Sequence, residues 1–219
     1  MRGERAEEAL AELCHLYWLP LYAFARREGL NQENAEDVTQ EFFRQIISVG
    51  GQLLRDADPD QGRLRTLLLR VLQRRIIDFH RRATCEKRGA GLVVPMDLNE
   101  AEAMLAGDPS GSPEAVFDRQ WAGTVLDLTL QRMERDYQAS SKPAQFAALR
   151  PFLGLDGEEP ETTSVQEALS LSPVAARQAV SRFRERFRST LREVIADTLR
   201  NPTEADVDEE LRALRGVLE

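Results

Sequence analysis

The chain is poor in the residues that build reactive sites. It has two cysteines and two histidines, and aromatic residues make up only 6% of its 219 positions. Two thiols exclude a disulfide framework, and Cys14 and Cys85 lack the spacing of a zinc finger, so reduced thiols in the cytoplasm are expected. His15 beside Cys14 reads as an ordinary helical position, because no second ligand cluster accompanies it. No run of 18 apolar residues is present, which excludes a helical membrane span. The first eight residues lack the apolar stretch of a signal peptide. No nucleophile–base pairing, metal-ligand spacing or phosphate-binding glycine loop occurs. An enzyme, for instance a hydrolase built on Asp156, Glu158 and Glu159, is therefore disfavoured, and neither a cofactor nor a metal is called for. Strand-like alternation is also missing.

What remains is helical periodicity interrupted by strong punctuation, which predicts an all-α protein. Residues 4–28 read as a helix that Pro20 should kink or break near Leu19. Asn31 caps a second helix reaching about Ser48, with Ala35, Val38, Phe42 and Ile46 on one stripe. Gly50-Gly51 and the Asp/Pro/Gly-rich 56–62 segment stop it. A third helix covers 63–82. Residues 84–112 carry most of the next glycines and prolines. Residues 97–118 hold six acids and no base, so this region reads as an acidic linker with a short helix at 99–105. Ser112-Pro113 opens a helix to about Tyr137, and Ser141 with Pro143 starts another through Phe152. Thr163 and Gln166 have the spacing of a capping box. Ser172-Pro173 then restarts the chain as a long basic helix ended by Asn201-Pro202. Residues 203–218 form a last acidic helix, with Val207, Leu211, Leu214 and Leu218 on one face. Trp18, Trp121, Tyr22 and Tyr137 fall at apolar helical positions and are expected in the core.

Charge is distributed unevenly. The net charge is −8, so the molecule as a whole repels nucleic acid and any attraction must be local. One local patch lies between Pro173 and Arg192: six arginines (177, 182, 184, 186, 188 and 192) against Glu185 alone. It follows a turn a few residues long, the arrangement of a DNA-reading helix–turn–helix. Ala176, Val180, Phe183 and Phe187 make an apolar stripe to pack on Leu169 and Leu171. Arg177, Gln178, Ser181, Arg182 and Arg184 lie mostly off it, where arginine can grip guanine and glutamine can pair with adenine. Arg186 and Arg188 suit phosphates. A second patch spans 62–91, where nine basic residues face Asp78 and Glu86. There Arg65, Arg70, Gln73, Arg74, Arg81 and Arg82 can follow a nucleic-acid backbone, and Asp78 can orient a neighbouring arginine.

These residues resemble a known family. The run from Asn34, Asn-Ala-Glu-Asp-Val-Thr-Gln-Glu-Phe-Phe, and the run from Gly62 to Arg82 look like region 2 of RNA polymerase sigma factors of the extracytoplasmic-function (ECF) type. Residues 165–192 look like region 4. The resemblance implies two small helical domains: residues 1–83 (region 2), tethered by the 84–112 linker to residues 113–200 (region 4), with 201–219 as an acidic C-terminal helix. It implies that Glu36, Asp37, Gln40, Glu41 and Phe43 dock on core RNA polymerase. It also implies that the third helix reads and melts the minus-ten element of promoter DNA, and that region 4 reads the minus-thirty-five element. Leu67 stands where relatives often carry Trp. An anti-sigma factor or other regulator is a further partner that such proteins can have. The linker is either a spacer or an acidic occupant of the polymerase's RNA path. The competing reading is a stand-alone helix–turn–helix regulator that binds an operator as a dimer, which leaves the second basic helix without a role.

Overall fold

The computed structural model describes residues 2–48, 64–83, 102, 111–155, 160–199 and 202–218. Among these the secondary structure is entirely helical: α1 (Arg2–Arg27), α2 (Gln32–Ser48), α3 (Leu64–Ala83), α4 (Pro113–Ala139), α5 (Pro143–Leu149), a 3₁₀ turn (Arg150–Leu153), α6 (Thr163–Leu169), α7 (Pro173–Asp197) and α8 (Glu204–Leu218). The all-α expectation holds. The Gly50-Gly51 stop, the 56–62 loop, the basic 84–91 stretch and nearly all of the linker lie outside the described residues.

Side chains set four of the helix starts. Asn31 Oδ1 accepts the Asn34 N–H at 2.8 Å, Ser112 Oγ accepts that of Ala115 at 3.2 Å, and Ser172 Oγ that of Ala175 at 3.3 Å. Each satisfies an amide that the first helical turn leaves unbonded. At α8 the exchange is reciprocal. Thr203 N–H donates to Asp206 Oδ2 at 2.8 Å and Asp206 N–H to Thr203 Oγ1 at 3.3 Å. The Thr203 hydroxyl also donates to Asp206 Oδ2, at 2.6 Å, and this bond, ahead of that from the Thr203 N–H, holds the Asp206 carboxyl below its ordinary pKa.

Three local expectations are corrected. Pro20 does not break α1, which runs unbroken through it. Proline inside a helix costs about 3 kcal/mol. Around it Leu16, Tyr17, Trp18, Leu21 and Tyr22 are all buried, and burial contributes about 1.5–3 kcal/mol for each large apolar side chain; packing wins. Ser141 does not cap α5. It adopts a left-handed φ of 57° and donates its N–H to the Gln138 carbonyl at 2.9 Å, closing α4 instead. Thr163 is the first residue of α6 rather than its cap, and the preceding Thr162 makes no side-chain cap bond.

The chain divides into two compact units, residues 1–124 with 198–219, and residues 125–197. The division falls inside α4 and puts α8 with the N-terminal helices. In the first unit α1, α2 and α3 pack pairwise. Their core includes Trp18, Tyr22, Phe42, Ile46, Leu68, Leu72 and Ile76, joined by Phe117 and Trp121 from the start of α4. Gly29, at φ +94°, turns the chain from α1 into α2. In the second unit Met133, Phe146, Leu149, Phe152, Val165, Ala176, Ala179, Val180 and Phe183 form one core, with Tyr137, Leu169, Leu171 and Phe187 against its edge. This is the stripe and the partners expected of the basic helix.

Candidate nucleic-acid interface

In the second unit α6 and α7 are joined by Ser170, Leu171 and Ser172. Ser170 takes a left-handed conformation (φ 53°) and donates its N–H to the Gln166 carbonyl, so one helix ends and the next begins within three residues. The apolar stripe of α7 then fixes which face remains outside. Val174, Arg177, Gln178, Ser181 and Arg182 are exposed there, at positions i, i+3, i+4, i+7 and i+8 of one face. Arg188 is exposed one further turn along and pairs with Glu185 at 3.3 Å.

Two of the expected contacts are engaged inside the unit. Arg184 is half-buried and donates Nε–H to the Phe152 carbonyl at 2.9 Å. It ties α7 to the 3₁₀ turn and satisfies a carbonyl that the short turn leaves without a helical partner. Arg186 NH2 lies 2.7 Å from Asp136 Oδ2 on α4. Sequence reasoning passed over Val174. It is 57% exposed at the start of the same outward face, and its signal was the mismatch between an apolar side chain and the polar side of the helix.

In the first unit α3 separates two lines of residues. Leu68, Leu72 and Ile76 are buried, whereas Arg70, Arg74, Ile77, Asp78 and Arg81 are exposed and Gln73 is half-buried. Asp78 lies 3.7 Å from Arg81. Gln73 Nε2 donates to Glu114 Oε1 at 3.5 Å. The side chain of Arg82 lies outside the described residues.

Arg65 is the departure. It is 8% exposed, on the same line as Leu68 and Leu72. Its NH1 donates to Asp118 Oδ1 at 3.1 Å, its Nε lies 3.4 Å from Glu210 Oε2, and its guanidinium carbon sits 4.7 Å from the centre of the Trp121 ring. A guanidinium held by two carboxylates and an aromatic face does not serve a nucleic-acid backbone. Glu210, 3% exposed, brings α8 to this cluster. The buried face of α8 is thus Val207, Glu210 and Leu214, while Leu218, expected on it, is exposed. Burial, followed by the charge of Glu210, pushes the Tyr17 hydroxyl well above its ordinary pKa, which keeps it neutral.

The α2 surface is mixed. Asp37 and Glu41 are exposed, Glu36 is half-buried and accepts a hydrogen bond from Gln40 at 2.8 Å, and Glu41 pairs with Arg44. Phe43 is 1% exposed and packs edge-on against Phe42. It supports this surface from beneath and does not form part of it.

One acidic residue of the 84–112 linker lies among the described residues. Glu102 receives Arg26 Nε at 2.6 Å and NH2 at 2.8 Å, with the Tyr22 hydroxyl also donating to it. The Arg26 bonds, ahead of that of Tyr22, hold the Glu102 carboxyl below its ordinary pKa. Cys14 is half-buried, and burial raises its thiol pKa. Among the described residues no cluster of three or more metal-ligating side chains occurs, and no helix is long and apolar enough to cross a membrane.

Comparison with protein families matches residues 17–85 to Sigma-70 region 2. Comparison with curated proteins and with solved structures gives no match. The matched segment runs from the buried half of α1 through α2 to the end of α3, and so includes both the acidic α2 surface and the cationic α3 face. Residues 17–85, about a third of the chain, are thus similar to Sigma-70 region 2.

Proposed function

We propose that the protein is a sigma factor of the ECF type, which binds core RNA polymerase in the cytoplasm and directs initiation at specific promoters. The observation that carries this reading is the region 2 match together with a separate helix–turn–helix whose outward face is cationic. A region 2 alone accounts for docking and strand opening; the α6–α7 pair supplies a second means of reading DNA. In this reading Asp37 and Glu41, with Glu36 beside them, meet the polymerase, and Gln40, 8% exposed, holds Glu36 in place from beneath. Arg70, Gln73, Arg74, Arg81 and Arg82 follow the minus-ten DNA. Arg177, Gln178, Ser181 and Arg182 reach base edges in the minus-thirty-five duplex, and Arg188 lies near phosphate. Val174 offers an apolar contact to a thymine methyl. The protein contributes no catalytic step; the polymerase performs the chemistry.

The test is run-off transcription from a promoter library with core polymerase plus the purified protein. Discrete transcripts that require both components support the reading. A dimer that binds a palindrome alone and yields no such transcripts supports the stand-alone regulator instead.

A further inference from the structure

The outward face of α3 contains a side chain that charge does not explain. At 100° per residue, Arg70, Arg74, Ile77 and Arg81 fall within an arc of about 60°, opposite the buried line through Leu68, Leu72 and Ile76. Ile77 is 60% exposed, more than Val174, Leu218 or Leu155, the other large apolar side chains that face solvent among the described residues. A single exposed isoleucine is ordinary on a protein surface. One bracketed on its own stripe by arginines is not: Arg74 stands three residues before it and Arg81 four after. The rise of the helix separates the four side chains by about 6, 4.5 and 6 Å in turn, so the stripe can keep several backbone phosphates in reach at once. In a helix a β-branched side chain is held almost entirely in one rotamer, so Ile77 projects as a stiff apolar peg between flexible cations. Its neighbour Asp78 draws toward Arg81.

Apolar side chains of this kind separate base steps when flanking cations hold the backbone. The step unstacks around the inserted group, and the exposed base then rests on an apolar surface. We propose that Ile77 is the wedge with which this protein opens duplex DNA. It enters a weakly stacked, A·T-rich step of the promoter while Arg70, Arg74 and Arg81 hold the phosphates on either side. This assignment rests on the initiation role given above and adds to it the residue that breaks the stack.

The experiment uses holoenzyme assembled from core polymerase and the full chain. It compares wild type, Ile77→Ala and Ile77→Met on two templates of one sequence, a normal duplex and a heteroduplex already mismatched over the melted segment. Ile77→Ala is expected to lower initiation about tenfold on the duplex and less than about twofold on the pre-opened template, because the mismatches supply the unstacking. Ile77→Met, still apolar and long, is expected to stay within about threefold of wild type on both. Permanganate reactivity of promoter thymines should fall with the duplex activity. Equal activity of Ile77→Ala and wild type on the duplex overturns the proposal, as does an equal loss on both templates. Failure of the wild type on both templates instead removes the initiation role itself. Ile77 is exposed, so unchanged unfolding of the alanine variant separates loss of the wedge from loss of the fold.

Discussion

Replacing Glu210 with alanine should unfold the first unit far more readily than an ordinary change on an acidic surface helix. Its carboxylate lies 3.4 Å from Arg65 Nε, and both side chains are buried. Removing one member of a buried ion pair costs about 3–5 kcal/mol, because the remaining charge keeps its desolvation penalty and loses its partner. Arg65 would retain Asp118 at 3.1 Å and the face of Trp121. The expected loss is therefore at the low end, about 3 kcal/mol. The chain has two tryptophans, Trp18 and Trp121, and both lie in the first unit. Tryptophan fluorescence during urea unfolding thus reports on that unit alone. Arg212→Ala, at an exposed position of the same helix, should change stability by less than about 0.5 kcal/mol. The double substitution Arg65→Met with Glu210→Leu should be more stable than either single change, since it removes both charges together. If Glu210→Ala behaves like Arg212→Ala, or if the double variant shows the simple sum of the singles, the buried cluster does not hold α8 in place.

Further outcomes follow from individual contacts. Arg182→Ala should weaken promoter binding and lower its salt dependence while leaving unfolding unchanged, because the side chain is exposed on the outward face of α7. Arg184→Ala should instead lower stability by about 1–3 kcal/mol by leaving the Phe152 carbonyl without its donor; denaturation and binding assays run side by side check both. Ser170→Gly should stabilise the second unit by up to about 1 kcal/mol, since glycine adopts the left-handed turn without strain. Calorimetry would show a raised melting transition. Glu102 has a folded-state pKa below its unfolded value. Its contribution is therefore complete above the unfolded carboxyl value of about 4.3 and disappears as pH falls through the folded one. Glu102→Gln should be less stable than wild type at neutral pH, and the difference should close on acidification below that value; a difference independent of pH contradicts the Arg26 clasp.

The sequence made local features plain and hid those that depend on distant partners. Asn31, Ser112 and Ser172 cap helices through bonds to amides three residues ahead, so their signal lies within one turn. The stripe Ala176, Val180, Phe183 and Phe187 repeats at the helical period, and its burial was readable for that reason. Pro20 misled because local propensity disfavours it, whereas the packing that overrides it comes from the whole of α1. Arg65 was misplaced by its charge, and Glu210 was passed over for the same reason. Each occupies a position on an apolar stripe, Arg65 three before Leu68 and Glu210 between Val207 and Leu214, and that register was the available warning. The partner that makes such a charge tolerable lies 145 positions away in the chain. Phe43 carried a similar ambiguity, since an aromatic residue next to acids belongs equally well to a docking surface or to the core beneath it.

In the function proposed here two cationic helix faces, on α3 and on α7, grip one promoter within a polymerase complex. Footprinting of the holoenzyme on a selected promoter examines both grips at once. Two separated protected segments are expected. The upstream one should be lost selectively in Arg177→Ala/Arg182→Ala, and thymine reactivity in the downstream one lost selectively in Arg70→Ala/Arg74→Ala. A single symmetric footprint made by the protein without polymerase, or a holoenzyme footprint indifferent to either pair, would contradict it.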